Sequence, residues 1–235
     1  MNHSLSIVIP CYNEQENIGH TINAVIQAVQ TLKIKYEIII VDDASNDSSR
    51  EVIKKLVNNN QHITFLFNKL NIGLSKTLIK GLTLAKYEYL TWVPGDNNHP
   101  KDGLKKTYKE ILKNYDLIIP YHINLNDRKF VRFILSKIYT FIVNILTSKK
   151  LKYYNGLSVY KKKYFNKSKF ISYSSFNMSF LAASLVYISN RTSNYIEIPV
   201  KISEDKKSKS TSLNFKNIKK TLYFFYSLIV NGKIF

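Results

Sequence analysis

One cysteine stands among the 235 residues, so no internal disulfide can form. That residue, Cys11, lies in an apolar, strand-like run with no neighbour to lower its pKa, which predicts a buried, inert thiol. Acidic residues are scarce too, 16 against 35 Lys and Arg, for a formal net charge of +19. Nucleic acid, an anionic membrane surface or a polyanionic substrate would each match that balance. The deficit deepens along the chain: beyond Asp116 the only carboxylate side chains are Asp127, Glu197, Glu204 and Asp205. No stretch reaches the roughly 18 uninterrupted apolar residues that span a bilayer. A leader is not expected, since Asn2, His3 and Ser4 precede only a short apolar run that ends at Pro10. Internal repeats are lacking. A hydrophobic content of 45% suits one sizeable domain, with room for a small appendage.

What is present is a regular alternation. Residues 5–10, 36–41, 62–67, 89–93 and 115–120 are apolar runs that read as buried strands. Helical patterns separate them: Ile18, Ile22, Val25, Ile26 and Val29 share one face of the first, and Leu74, Leu78, Leu82 and Ala85 one face of the third. Asn13 is the expected N-cap of the first helix, with Glu16 three residues later as in a capping box. Continuous apolar strands joined by helical crossovers predict an α/β fold: a mostly parallel sheet covered on both faces.

Polar clusters follow three of these strands. Tyr12, Asn13 and Glu14 come after the first, Asp42 and Asp43 end the second, and Asp96 to His99 follow the turn at Pro94-Gly95. Parallel strands bring all three to one edge, where an open α/β sheet places its ligands. Asp96 offers hard oxygen to a divalent cation, and Asn98 adds an amide oxygen; such a cation would neutralise a diphosphate. The plainer alternative stays open: Asp96 caps the helix near Lys101, and Asp42-Asp43 are turn residues ahead of a helix at Ser48.

The second half is less regular. Residues 130–147 read as an amphipathic helix with Arg132 and Lys137 embedded, long enough to lie on a membrane. Residues 157–160 resemble a strand, 176–188 a helix, and 194–202 a strand broken at Pro199. A Lys/Ser loop over 204–212 carries Lys206, Lys207, Lys209 and Ser210, and 214–235 reads as a second amphipathic helix.

With these pieces in order the chain resembles the inverting family 2 glycosyltransferases of GT-A fold, closest in look to polyprenyl-phosphate sugar transferases of the dolichol-phosphate mannosyltransferase type. The resemblance rests on residues 6–14, the 40–45 run with Asp42 and Asp43, Asn71-Ile72-Gly73 with Lys76 and Gly81, Gly95-Asp96 through Pro100, Asn155-Gly156, and Glu197-Ile198-Pro199. It implies that Pro10 and Tyr12 wall the nucleotide base, that Asn13 lines the donor site, and that Glu14 and Asp43 accept hydrogen bonds from ribose or base. Asp42 would shape that pocket. Gly73 and Lys76 would meet phosphate or donor sugar, Gly95 would leave room beside the diphosphate, and Asp96 would be the catalytic metal ligand. One departure is plain: Pro94 stands where the family carries the first carboxylate of its DxD triplet. The metal set is therefore expected to be Asp96, Asn98 and the donor diphosphate, with Mg2+ or Mn2+ as the cofactor. A second departure is Gly156-Leu157-Ser158 in place of a Gly-Phe-Arg run. Acceptor phosphate binding is then expected from Arg132, Lys206, Lys207, Lys209 and Ser210, lysines acting as point charges.

The resemblance implies a catalytic domain over 1–212, its donor half 1–120 and its acceptor half 121–212, followed by an amphipathic helix over 213–235. The expected activity is metal-assisted transfer, with inversion, from a nucleotide-diphosphate sugar to a polyprenyl phosphate. The expected place is peripheral, on an anionic membrane at its cytoplasmic face. A phosphate acceptor is already anionic and needs no general base, which suits the scarcity of carboxylates past Asp116. One rival is transfer to a saccharide acceptor in surface polysaccharide synthesis. The rival of another class, a basic nucleic-acid-binding module, leaves the acidic strand-end loops unexplained, so no nucleic-acid partner is expected.

Overall fold

The strand runs form as expected because each places apolar side chains on both faces. Along β1 (Ser4–Cys11), Leu5, Ile7 and Ile9 point to one side and Val8 to the other, all fully buried. In the computed structural model, which describes residues 3–57, 60–124, 130–203 and 215–231, β1 is followed by α1 (Ile18–Gln30), β2 (Lys35–Asp42), α2 (Ser49–Val57), β3 (Ile63–Phe67), α3 (Leu74–Leu84), β4 (Tyr89–Trp92), α4 (Lys101–Lys109) and β5 (Leu117–His122). The second half adds α5 (Phe130–Thr147), β6 (Val159–Lys161), α6 (Lys167–Tyr173), α7 (Phe180–Ser189), β7 (Tyr195–Val200) and α8 (Phe215–Asn231).

The strands make one seven-stranded sheet in the order β3-β2-β1-β4-β6-β5-β7. All pairings are parallel except those of β6, which runs antiparallel to both β4 and β5. Helices α1, α2 and α4 cover one face, where Ile22, Val25, Ile53 and Leu104 meet Ile7, Ile9, Ile38 and Ile40. The other face carries α3, α6, α7 and the buried sides of α5 and α8 against Val8, Ile39, Leu90 and Leu117. The helix at 215–231, which the sequence sets apart, packs Phe224 and Leu228 into this core.

Two local readings are corrected. Asn13 does not cap α1: the helix begins at Ile18, and Asn13 adopts φ 56° with its side-chain oxygen accepting the Asn46 N–H. Pro199 does not break its strand, because β7 pairs only with β5 and an edge strand tolerates a missing N–H. The helix at 167–173 is short and unmarked by periodicity; the Asn166 side chain caps it by accepting from the Lys169 N–H.

Candidate active site

The register decides what meets at the sheet edge. Cys11 pairs with Asp42, so Tyr12 and Asp43 leave their strands at the same level. Beyond the end of β4 the ladder continues, the Val93 N–H donating to the Val8 carbonyl at 2.9 Å and the Gly95 N–H to the Pro10 carbonyl at 3.2 Å. Pro10, Tyr12, Asn13, Glu14, Asp42, Asp43, Gly95 and Asp96 therefore line one edge, where the strand order turns back on either side of β1. Tyr12 is 45% exposed, the open aromatic surface that stacking on a ring requires. Cys11 beneath it is buried, and burial pushes its thiol up to about 12, outweighing a hydrogen bond with Ser49.

Hydrogen bonds tie the first two loops together. The Asn13 N–H donates to Ser45 Oγ, the Glu14 N–H to Ser49 Oγ at 2.8 Å, and the Gln15 N–H to Asp47. Burial alone would raise the Asp47 carboxyl; hydrogen bonds from Ser49 and Gln15 outweigh it and hold the group below the usual carboxylate range. Asp42 is fully buried and accepts from Arg50 Nε at 2.7 Å and from the Ser45 N–H, as suits a pocket-shaping residue. Asp43, 4% exposed, accepts from the Ile72 N–H, the Gly73 N–H and Asn68 Nδ2, so it fixes the 71–73 turn. Gly73, at φ 84°, needs its freedom there, and Lys76 follows, exposed in the first turn of α3. Asn13, Ala44 and Asn97 also hold positive φ in these loops, a concentration of strain that suits a binding edge.

Asp96 is half-buried, and its two oxygens accept from the Asn98 backbone N–H at 3.2 Å and from Asn98 Nδ2 at 2.9 Å. In this arrangement Asn98 presents its amide nitrogen to the carboxylate, not an oxygen to a cation. No group of three or more His, Cys, Asp or Glu side chains suited to a metal is found among the described residues. One carboxylate together with ligand phosphates is still the donor set that Mg2+ commonly uses, so Asp96 fits such a cation. A Cβ on Gly95 would lie 3.2 Å from the Pro10 carbonyl, 3.3 Å from Ile18 Cδ1 and 3.6 Å from Glu14 Cγ. The glycine lets the Asp96 loop close onto β1.

Thr21 holds the Asp96 loop from below and carries no sequence signal of doing so. Its buried hydroxyl donates to the Gly95 carbonyl and accepts the Asn97 N–H, both at 3.0 Å, bracketing Asp96. Thr21→Val leaves that N–H unsatisfied, at a cost of about 1–3 kcal/mol. The expected result is a fall in kcat of roughly tenfold with KM for the donor little changed, and recovery in Thr21→Ser. Unchanged kcat in Thr21→Val would remove Thr21 from the site.

A second feature lies beyond β4. At the carboxyl end of β5 a cavity of about 290 Å³ is lined by Tyr121, His122, Ser136, Lys137, Thr140 and Lys152, among others. The His99, His122 and Tyr153 rings connect it to the Asp96 loop, with centroids 5.9 Å and 4.9 Å apart. Lys152 Nζ sits 4.5 Å over the Tyr121 ring and donates to its hydroxyl at 3.3 Å. Glu197, the only carboxylate past Asp116 among the described residues, accepts the Lys152 backbone N–H at 2.7 Å. Sequence reasoning did not assign Lys152 or this use of Lys137. The available signal was Ser136, Lys137 and Thr140 on the polar side of an apolar helix. Arg132 lies in the first turn of α5; Lys206, Lys207, Lys209 and Ser210 lie outside the described residues.

Residues 6–171 match the sequence family described as Glycosyl transferase family 2. Among curated proteins, the undecaprenyl-phosphate 4-deoxy-4-formamido-L-arabinose transferase of Pseudomonas fluorescens (strain SBW25) is 26% identical over 132 residues, 55% of this chain and 38% of that protein. An uncharacterized glycosyltransferase of Synechocystis is 25% identical over 151 residues, 64% of this chain and 48% of its own. The chain's matches thus span less than half the length of these relatives. Among solved structures, glucosyl-3-phosphoglycerate synthase from Mycobacterium tuberculosis, in complex with Mn2+, uridine diphosphate and phosphoglyceric acid, superposes with a TM-score of 0.69 at 10% identity, over 95% of this chain and 78% of that one. That likeness supports the GT-A fold.

Proposed function

The chain belongs to glycosyl transferase family 2, and from that premise we propose that it moves a sugar from a nucleotide-diphosphate sugar to the phosphate of a polyprenyl-phosphate acceptor, with inversion. Tyr12 stacks on the base above Pro10. Asn13, Glu14, Asp42 and Asp43 hold the base and ribose through the interlocked first and second loops, and Lys76 meets the diphosphate. Asp96 binds a divalent cation, which when bound stabilises charge on the departing diphosphate. The acceptor phosphate lies in the cavity at β5, held by Lys137 and Lys152 as point charges, and approaches the anomeric carbon opposite the leaving group. Arg132, Lys206, Lys207 and Lys209 belong to the same acceptor reading. Peripheral attachment to an anionic membrane at its cytoplasmic face belongs to the same reading.

The observation that carries the lipid-phosphate acceptor is that cavity. It offers two lysines and hydroxyl groups, and none of its described lining residues is a carboxylate. A sugar hydroxyl would need a base there; a phosphate does not. The names of the undecaprenyl-phosphate relatives point the same way.

The test is a panel of uridine- and guanosine-diphosphate sugars with Mn2+. Each is offered to undecaprenyl phosphate in detergent and, separately, to soluble oligosaccharides. A sugar linked to the lipid phosphate is the expected product. Transfer to saccharides alone would overturn the acceptor assignment and return the polysaccharide reading.

A further inference from the structure

Helix α5 has two apolar faces and the protein uses one of them internally. Val143 is fully buried, whereas Ile134, Ile138, Phe141 and Ile145, spaced four, three and four residues apart, form an outward stripe; Phe141 and Ile145 are 64% and 61% exposed. Helix α8 repeats the arrangement. Phe224 and Leu228 are buried, while Ile218, Leu222, Tyr226 and Ile229 run along the opposite side, Leu222 and Ile229 at 61% and 67% exposure. The two helices meet through the rings of Tyr139, Phe224 and Phe225, so the stripes lie on neighbouring elements. Apolar surface on this scale marks an interaction site.

Charge selects the occupant. Neither helix contains an acidic residue, while Lys137, Lys219 and Lys220 lie within them and Lys149 and Lys150 just beyond α5. A second copy packed on these stripes would set the basic fringe against itself. An anionic bilayer attracts the fringe and accepts the stripes together. The geometry points to α5 and α8 as a single docking surface for an anionic lipid bilayer, the stripes entering the acyl boundary and the lysines resting among headgroups. Its consequence rests on the lipid-acceptor reading: α5 also supplies Ser136, Lys137 and Thr140 to the cavity. A bilayer-anchored acceptor then delivers its phosphate from the side of α5, with no need to leave the membrane.

The experiment replaces Phe141, Ile145, Leu222 and Ile229 together by Ser in the full chain. Sedimentation is measured with vesicles of phosphatidylglycerol and phosphatidylcholine in equal parts, and with phosphatidylcholine alone. The unaltered protein should bind the anionic vesicles, less so as salt rises, and the variant should bind them roughly tenfold more weakly or worse. Melting temperature and nucleotide-diphosphate affinity should be unchanged. Transfer to vesicle-borne polyprenyl phosphate should fall with binding, and transfer to a short-chain, water-soluble polyprenyl phosphate should be kept. Absence of binding to anionic vesicles at low salt overturns the proposal, as does a variant that binds like the parent. A variant that turns a dimer into a monomer while vesicle binding persists also overturns it and assigns the stripes to a second copy. If the short-chain acceptor is not glycosylated by either protein, the lipid-acceptor reading fails, and sedimentation still decides the docking surface.

Discussion

Asp96→Asn is expected to lower kcat by roughly 100-fold or more, because it removes the one carboxylate that would hold the cation, and the cation would balance charge at the leaving diphosphate. Asp96 follows Gly95, which is pressed against Pro10, and Thr21 grips the backbone on either side of it. The carboxylate is thus presented on a rigid support. The fold should hardly notice the change: the substituted amide keeps an oxygen to accept one Asn98 N–H and loses the other, worth about 1 kcal/mol. The measurements are turnover against Mn2+ concentration, the melting curve, and nucleotide-diphosphate affinity in chelator. A steep loss of turnover with a near-normal melting curve and normal metal-free affinity is the expected pattern. Full activity with unchanged Mn2+ dependence would place the cation, and the reaction centre, elsewhere.

Gly156→Ala is expected to destabilise the protein by about 2–3 kcal/mol, through overpacking that the neighbours cannot relieve. A Cβ at that position would overlap the carbonyl oxygen of Pro120 in β5. Both atoms belong to, or are attached to, backbone, and β5 is held by β6 on one side and β7 on the other. The loop before β6 must therefore move, carrying Tyr153 away from the cavity it lines. For a chain of this length the change corresponds to a melting point lower by about 5–10 °C. Sugar transfer should fall further than donor binding, since the donor loops on β1, β2 and β4 do not touch residue 156. An unaltered melting point would mean that this loop does not pack against β5 as described.

The first half of the chain was legible because its signals are local. The apolar runs and helical repeats before residue 120 each need only a dozen neighbouring residues to be recognised, and parallel crossovers then force the three polar clusters onto one edge. Asp96, Tyr12 and Asp42 are placed at that edge in this way. Their hydrogen-bond partners were not. Asn13 reads as a cap until Asn46, thirty-three residues away, is seen to donate to it. Asp43 reads as an unpartnered acceptor until the Ile72 and Gly73 N–H groups are seen to donate to its oxygens. Gly95 shows no packing partner in the sequence, and Pro10, Ile18 and Glu14 are seen around it only in the fold.

The sequence by itself determined the α/β class, the strands and helices up to β5, the edge that carries the polar loops, and the amphipathic character of the helices at 130–147 and 215–231. Each of these follows from hydrophobic periodicity, which the chain carries residue by residue. Only the tertiary structure decided that β6 runs antiparallel between β4 and β5, that Thr21 braces the Asp96 loop, and that Lys137 and Lys152, fifteen residues apart, share one cavity. Only the structure also showed which face of each amphipathic helix is spent on the core and which is left outward. Those facts depend on pairs of residues distant in the chain, and a local pattern cannot say which distant partner a side chain will meet.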